Sequence, residues 1–381
     1  MKRIYILLSI LMILLFAGSS YAQSEIQRKL FSPTFLSIVE YRSWEKDTDG
    51  AKQTVSQISS PTAIKLPLSS NIALDVAGSF IMSSVGDSNL TGLTDARARA
   101  VAMLFGDTVM LSAGVNVPNG KSDLDIEQTG VAAILSGKAL GFKYNKLGEG
   151  LDINVGGGLA HAFGAVAFGA GAGYIIKGEY AFAEDKDVKY KPGDQLNITG
   201  GFDLSLSSLL LRTDVTYATY KTDKSDGTEV FKEGTRLSAE ESIIVSTEKL
   251  GLLLSGRYIT HGKSEIISTK PDAISILFGV PGVPTKESKK LYGDQIIADA
   301  VMSLNLTKVF SLKLLGESTI VTKNEDDKND ATVFGFGGGM TFKSMRGSFF
   351  DLTGKYYMGS SNDGKTDLKG FSAMTALRLI F

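Results

Sequence analysis

The sequence contains no cysteine and only two histidines among its 381 residues. The absence of cysteine excludes disulfides, thiolate metal sites, a cysteine nucleophile and the lipidated N-terminal cysteine of a lipoprotein. Lysine and arginine together number 40 against 41 acidic residues, so the formal net charge is -1. The chain therefore lacks the basic excess that attracts nucleic acid, and we expect no nucleic-acid partner. No sequence motif for a bound cofactor or metal is present, and none is expected.

Long apolar runs are also scarce, and the longest lies at the N-terminus. Lys2 and Arg3 precede an apolar run over residues 4–16, and small residues then lead to Ala22. This order predicts a secretory signal peptide over residues 1–22, cleaved before Gln23. The run is shorter than the roughly 20 residues that a spanning helix needs. We therefore expect one mature domain, residues 23–381, without a helical membrane span.

Apolar and polar side chains alternate with a period of two along the whole mature chain. Clear examples are residues 72–80, 151–159, 209–217, 310–314 and 350–358. Because successive side chains of a strand point to opposite faces, the pattern is typical of a sheet with one apolar and one polar face. A soluble sandwich or barrel and a transmembrane β-barrel both produce it.

The lengths of the connections separate these two alternatives. Short links alternate with long polar ones, as expected for a bacterial outer-membrane barrel with short periplasmic turns and longer external loops. The short links are residues 68–70, 106–107, 207–208, 247–249 and 344–347. The long links are residues 86–93, 119–150, 183–193, 223–228, 263–290, 324–330 and 360–367. The sequence therefore predicts an all-β fold, a single antiparallel up-and-down transmembrane barrel of about 16 strands. The number would be 14 if a hairpin involving the weaker strands at 54–65 or 229–246 does not form.

The last strand supports the same fold. Leu377, Leu379 and Phe381 lie on one face, and Arg378 lies on the other. This alternating strand with a terminal aromatic residue resembles the C-terminal signature of outer-membrane β-barrel proteins. The resemblance implies recognition by the barrel-assembly machinery, localisation in the cell outer membrane, and contact with outer-membrane lipid and lipopolysaccharide.

Two further resemblances concern narrower groups of barrels. Gly92-Leu93-Thr94-Asp95, an Arg-bearing strand and then Gly114-Val115-Asn116-Val117-Pro118-Asn119-Gly120-Lys121 resemble the outer-membrane transporters linked to phenol degradation, the MetA-pathway family. That family is similar to the fatty-acid and aromatic-hydrocarbon channels, although only about ten residues precede the first strand near Thr34, too few for the N-terminal plug of the fatty-acid transporters. The segment 119–150 also resembles the loop of general porins that follows the fifth strand and folds inward.

If the apolar faces contact lipid, the opposite faces line a lumen that carries charges of both signs. Strict alternation places Asp95, Arg97 and Arg99 on one lumenal face, and the acidic residues at the start of the long loop are candidates to oppose them. The predicted pore-lining or constriction residues are Asp95, Arg97, Arg99, Asp123, Asp125, Glu127, Arg212, Asp214 and Arg257.

Two long connections have unusual compositions. Residues 128–140 combine Val131, Ile134 and Leu135 with glycine and alanine, which predicts a short helix inside the barrel. Inward glycines at 156, 158, 169, 171 and 173 either leave room for that helix or ease the curvature of the wall. Residues 274–284 are apolar and favour a contact surface or a lid, or packing on the loop itself or lipopolysaccharide.

Three functions are compatible with these features. The two histidines, His161 and His261, are predicted on opposite faces at opposite ends of the barrel, so we expect no enzyme. The favoured function is a passive outer-membrane channel for small molecules through a polar, charge-lined lumen. The alternatives are a transporter for hydrophobic or aromatic compounds and a non-conducting scaffold or adhesin. The solute, the gating and the formation of a homo-oligomer are not determined by the sequence.

Overall fold

The computed structural model describes residues 32–106, 108–181, 188–268, 285–344 and 347–381. The predicted signal peptide and the apolar segment 274–284 lie outside these residues. The strands are β1 (Thr34–Thr48), β2 (Ala51–Pro67), β3 (Ile72–Val85), β4 (Ser88–Leu93), β5 (Ala96–Leu104), β6 (Val109–Val117), β7 (Asp152–Phe163), β8 (Val166–Ile176), β9 (Tyr180–Ala181), β10 (Lys189–Lys191), β11 (Gln195–Leu206), β12 (Leu209–Tyr220), β13 (Thr222–Ser225), β14 (Thr228–Lys232), β15 (Arg236–Ser246), β16 (Leu250–His261), β17 (Ser264–Ser268), β18 (Thr285–Lys289), β19 (Gln295–Asn305), β20 (Phe310–Val321), β21 (Ala331–Lys343), β22 (Phe349–Ser361) and β23 (Thr366–Ile380). The helices are α1 (Ile126–Leu135) and a 3₁₀ turn (Lys138–Leu140).

The long strands form one closed antiparallel barrel with 16 strand positions in its wall. Each of these positions is called a stave. Each stave pairs with the next along the chain, and β23 closes the barrel on β1 from Thr34↔Ile380 to Thr48↔Thr366. Closure leaves no unpaired strand edge in the wall, which a sheet in a membrane requires. The prediction of 16 staves is confirmed, and both weakly patterned segments, 54–65 and 229–246, contribute strands.

The fourth stave is interrupted. The half of β3 nearer the long loops pairs with β4, and the half nearer the short turns pairs with β5. β4 and β5 therefore form one stave, which is broken at Thr94 and Asp95. The prediction of a long loop at 86–93 was wrong, because only a tight turn at Gly86 precedes β4. The polar composition of this segment concealed Leu90, which is buried against the inner face.

The long connections also carry strands. Short strands β9, β10, β13, β14, β17 and β18 form a second sheet of six at the long-loop end. The predicted loops at 223–228, 183–193 and 263–290 are therefore partly wrong, since each contains strand residues. The first is a hairpin whose turn, Asp226 and Gly227, has φ values of 48° and 78°. Aspartate and glycine accept this left-handed backbone more readily than most residues.

Large apolar side chains cover the outer surface of the barrel. Phe80, Phe168, Ile198, Phe334 and Phe371 are all more than 40% exposed on outward-facing positions of different staves. Such an apolar band around a closed barrel is the architecture of outer-membrane β-barrel proteins, and it confirms the predicted fold class and localisation. None of the described helices is long and apolar enough to cross a membrane.

Candidate functional site

The segment between β6 and β7, residues 118–151, lies against the inner face of the barrel. Its helix α1 begins after Asp125, whose carboxylate accepts a hydrogen bond of 2.7 Å from the backbone N–H of Gln128. Val131 and Leu135 pack in a buried cluster with Val55, Ile81, Val85 and Leu90 from the inner face of β2 to β4. The burial of these side chains fixes the helix on one side of the lumen.

The 3₁₀ turn after α1 has a second attachment. The carbonyl oxygen of Leu140 accepts hydrogen bonds from Trp44 Nε1 at 2.8 Å and from Arg42 Nη1 at 3.2 Å. Trp44 stacks on Tyr357 with 5.2 Å between ring centroids, and Leu140 packs in the same buried cluster as Leu368. The segment is therefore held against β1 and β21 to β23 as well as β2 to β4.

Asp95 binds both ends of the segment at the break in the fourth stave. Its Oδ1 accepts a hydrogen bond of 3.0 Å from the N–H of Gly120, and its Oδ2 accepts one of 2.7 Å from the N–H of Glu149. A Cβ at Gly120 would lie 2.2 Å from the carbonyl oxygen of Leu147, so only glycine fits there. The two parts of the sequence that resemble the MetA-pathway transporters, 92–95 and 114–121, thus meet at this junction.

A network of ion pairs supports the return of the segment to the wall. Lys177 lies 2.9 Å from both Glu149 and Asp152, and Lys146 pairs with Glu149 from the opposite side. Glu149 belongs to the connection between β6 and β7 and lies outside the strands of the wall. Burial would raise the pKa of its carboxyl group, but Lys146 and Lys177 outweigh burial and lower that pKa to about 2. Glu149 is therefore ionised at neutral pH.

The half of the lumen opposite the segment is open. A cavity of about 720 Å³ is bordered by β5 to β8, β11 and β12. The inward glycines 156, 158, 169, 171 and 173 line this cavity, so they do not accommodate α1, which packs on the other side. A second cavity of about 520 Å³ lies beside residues 143–149, and Arg97 borders both. The space that remains open in the barrel therefore lies to one side of the barrel axis.

Three of the four predicted lumenal arginines are paired along the inner wall. Arg99 lies 2.9 Å from Asp75, Arg212 lies 2.9 Å from Asp203, and Arg257 lies 2.6 Å from Glu240. Each pair joins neighbouring staves, which is the arrangement that opposite charges on a shared sheet face favour. Arg97 and Asp214 border the larger cavity, and neither has an ion pair within the described residues.

The three acidic residues at the start of segment 118–151 do not lie where the sequence predicted them. Asp125 caps α1, and Asp123 and Glu127 are exposed. Arg99 is opposed by Asp75 on β3, so the expectation that Asp123, Asp125 and Glu127 face the arginines of β5 was wrong. The short carboxylate of Asp125 satisfies the backbone of the helix instead.

The two histidines lie far apart. His161 is on the outward face near the short-turn end of β7, where it contacts Phe163 with 4.5 Å between ring centroids. His261 is 8% exposed on the inward face at the long-loop end of β16, beside Tyr292. Within the described parts of the chain, no three metal-ligating side chains form a cluster.

Some residues that shape the site were not predicted from the sequence. Glu40, Arg42 and Trp44 alternate on β1 and face the segment, but their partners are almost 100 residues away. Glu241, in the middle of β15, is exposed on the outward face because its neighbour Glu240 points inward to Arg257. The two adjacent glutamates conceal this alternation in the sequence.

Comparison with known proteins provides a fold likeness only. No family model and no curated protein matches the chain. Three similar solved structures are the translocator domain of the autotransporter NalP from Neisseria meningitidis, the CymD monoaromatic hydrocarbon channel, and CdiB from Acinetobacter baumannii. Their identities are 9%, 10% and 12%, and their TM-scores are 0.33, 0.43 and 0.46. The alignments cover 96%, 95% and 89% of this chain and 91%, 91% and 60% of those chains. At these TM-scores the likeness carries no argument about function.

Proposed function

We propose that this protein is a non-enzymatic outer-membrane channel through which small molecules diffuse passively. The observation that carries the proposal is the one-sided position of the segment 118–151, which leaves the cavity of about 720 Å³ on the opposite side of the lumen. A barrel of 16 staves encloses more space than its own side chains can fill. The segment narrows this space without lining its whole circumference.

The proposed pore is lined by β5 to β8, β11 and β12. Arg97, Arg99 and Asp214 border it directly, whereas Arg212 and Arg257 support the charge balance of the wall through their pairs with Asp203 and Glu240. Asp95 holds the segment that forms the other side of the pore rather than facing the solute. Charges of both signs on a pore wall influence which solutes pass.

A transporter for hydrophobic or aromatic solutes is the second candidate. Glycine, alanine and methionine form much of the wall of the larger cavity, including Met103, Met110 and Ala160. These residues give part of the wall an apolar surface, and largely apolar pockets of this size accommodate small organic molecules. Under either candidate the solute passes on the same side of the barrel.

The C-terminal strand serves assembly in this proposal. Leu377 faces outward at 36% exposure and Phe381 is 76% exposed, whereas Arg378 faces inward opposite Leu36. We propose that Leu377, Leu379 and Phe381 are presented to the barrel-assembly machinery before β23 pairs with β1. Outer-membrane lipid and lipopolysaccharide would then surround the apolar band, and a homo-oligomer would use part of it.

Conductance in planar lipid bilayers tests the channel directly. We expect the purified, folded protein to produce discrete current steps that grow linearly with voltage. The same preparation after heat unfolding should be silent, which controls for detergent and contaminants. A folded protein that inserts without any current would contradict the proposal and favour the non-conducting scaffold.

A further inference from the structure

We propose that the larger cavity binds small organic carboxylates with an apolar body, and that Arg97 is the residue that recognises the carboxylate. This inference rests on the proposed function, because it names the class of solute for the same pore. It depends on three features of the cavity: an unpaired guanidinium, a second arginine beside it, and a stretch of wall formed by glycine and alanine.

Arg97 is a free cation in the lumen. Three other arginines of the inner wall, Arg99, Arg212 and Arg257, each have a carboxylate partner within 3 Å. Arg97 has no ion pair and no hydrogen bond within the residues that the structure describes, and its side chain is exposed where the two cavities meet. An unpaired guanidinium is hydrated and can exchange that water for an anion without losing a protein partner.

A second arginine stands beside Arg97. Arg99 follows two residues later on the same face of β5, and its guanidinium is bonded to Asp75 Oδ2 at 2.9 Å. Within the described parts of the chain, the Arg99–Asp75 pair is the single ion pair that involves Arg97 or Arg99. The two arginines therefore carry two positive charges and share one carboxylate partner. A planar guanidinium binds a carboxylate through two parallel hydrogen bonds, which is a stronger and more directional interaction than a lysine provides.

The wall beside Arg97 suits an apolar body. The inward positions of β7 and β8 next to the cavity are glycine at 156, 158, 169, 171 and 173, with alanine toward the short-turn end and the uncharged Asn154 toward the long-loop end. Glycine leaves the peptide planes of the sheet uncovered, so this wall is flat and offers no side-chain charge. A planar or thin apolar group can lie against it with its carboxylate on Arg97.

The opposite side of the cavity limits the alternatives. Asp214 borders the cavity from β12, separated from Arg97 along the wall by β6, β7, β8 and β11. Asp214 repels an anion and neighbours the acidic Glu240 across the strand pair. A carboxylate is therefore directed toward the β5 side, and a neutral solute of the same shape gains less from Arg97 because it carries no charge to pair with the guanidinium.

Saturation-transfer NMR on the detergent-solubilised protein tests this site without requiring conduction. The probes are benzoate and benzyl alcohol, which have similar apolar bodies but differ in charge. We expect benzoate to bind at least about tenfold more tightly, because hydrogen bonds to charged groups contribute more than neutral ones. Arg97→Gln should abolish that preference.

Lys46→Gln is the matched control. Lys46 is also on the inner face and its replacement changes the net charge equally, but it borders a different cavity near the 3₁₀ turn. The preference for benzoate should persist in this variant. An unchanged preference in Arg97→Gln, an equal loss in Lys46→Gln, or equal binding of the two probes to the unmodified protein would overturn the inference.

Bilayer recordings distinguish a failure of this inference from a failure of the proposed function. Current steps without a binding preference would leave the channel intact and refute the carboxylate site. A binding preference that depends on Arg97 in a silent barrel would refute the channel and retain the site.

Discussion

Replacement of Asp95 by asparagine should loosen the segment 118–151 at both of its ends. The carboxylate accepts hydrogen bonds from the N–H groups of Gly120 and Glu149. The side-chain amide of the substituted asparagine can accept only one of these bonds, and its NH₂ group would face the remaining backbone donor. The variant therefore loses one charge-assisted bond, weakens the other and leaves one donor without an acceptor.

The expected cost follows from these three changes. Hydrogen bonds to charged groups contribute about 1.5–3 kcal/mol, and an unsatisfied buried donor costs about 1–3 kcal/mol. Because part of this loss is recovered by water in the lumen, we expect the segment to open more readily by about 2–4 kcal/mol. That energy corresponds to roughly 30- to 700-fold in the opening equilibrium.

Amide hydrogen exchange measures the opening directly. The amides of Gly120 and Glu149 should exchange faster by that factor in Asp95→Asn. The emission of Trp44 should stay unchanged, because this single tryptophan contacts the interior of the segment, at Leu140, through a separate attachment. Asp125→Asn is the control, since asparagine caps a helix about as well as aspartate. Equal exchange rates in Asp95→Asn and the unmodified protein would refute the clamp.

Three further predictions concern the pore wall, the ion pairs and the outer face. Gly173→Leu should reduce single-channel conductance, because its Cβ has room at 3.7 Å from Val155 O and the side chain enters the cavity, whereas the outward Gly200→Leu should not. A conductance equal in both variants would place the pore elsewhere. The lowered pKa of Glu149 stabilises the anchored segment above the ordinary pKa of 4.5, and this contribution is lost as the pH falls through about 2. Current noise should therefore stay constant between pH 7 and 5 and rise in strong acid. The Glu149→Gln variant should show the raised noise already at pH 7. Quiet currents from Glu149→Gln at every pH would contradict the role of Glu149 in anchoring the segment. Glu241→Leu should raise the free energy of unfolding in lipid by about 1–2 kcal/mol, since a carboxylate at mid-membrane costs somewhat less than the roughly 2–4 kcal/mol of a basic residue. A loss of stability in urea titration would indicate that another protein surface covers Glu241.

The sequence predicted the barrel well because its dominant signal is local. Alternation with a period of two assigns each side chain to lipid or lumen without knowledge of the partner strand. The inward positions of Arg97, Arg212, Asp214 and Arg257 follow from that alternation alone. The alternation of long and short links then fixes the up-and-down order of the staves.

The features that were mispredicted depend on contacts between distant segments. Asp75 and Arg99 are 24 residues apart, and only the register between β3 and β5 brings them together. The strands of the second sheet have two to five residues, which is too short for a periodic signal, and the pairings β10–β13 and β14–β17 join different loops. Asp95 borders the smaller cavity, but its hydrogen bonds to the backbone of the inward segment depend on the break in its stave and could not be predicted from the alternation.

Single-cysteine labelling distinguishes the water-filled face of the barrel wall from the face that contacts lipid. The chain has no cysteine of its own, so Thr199→Cys and Ile198→Cys each provide one thiol on adjacent residues of β11. Thr199 borders the larger cavity, whereas Ile198 is 50% exposed on the outward face. In intact outer membranes, a charged methanethiosulfonate reagent should label the cysteine at 199 rapidly and leave the one at 198 unmodified. Equal labelling of the two positions, or labelling of 198 alone, would mean that the lumen is not on the side of Thr199 and that lipid does not cover Ile198.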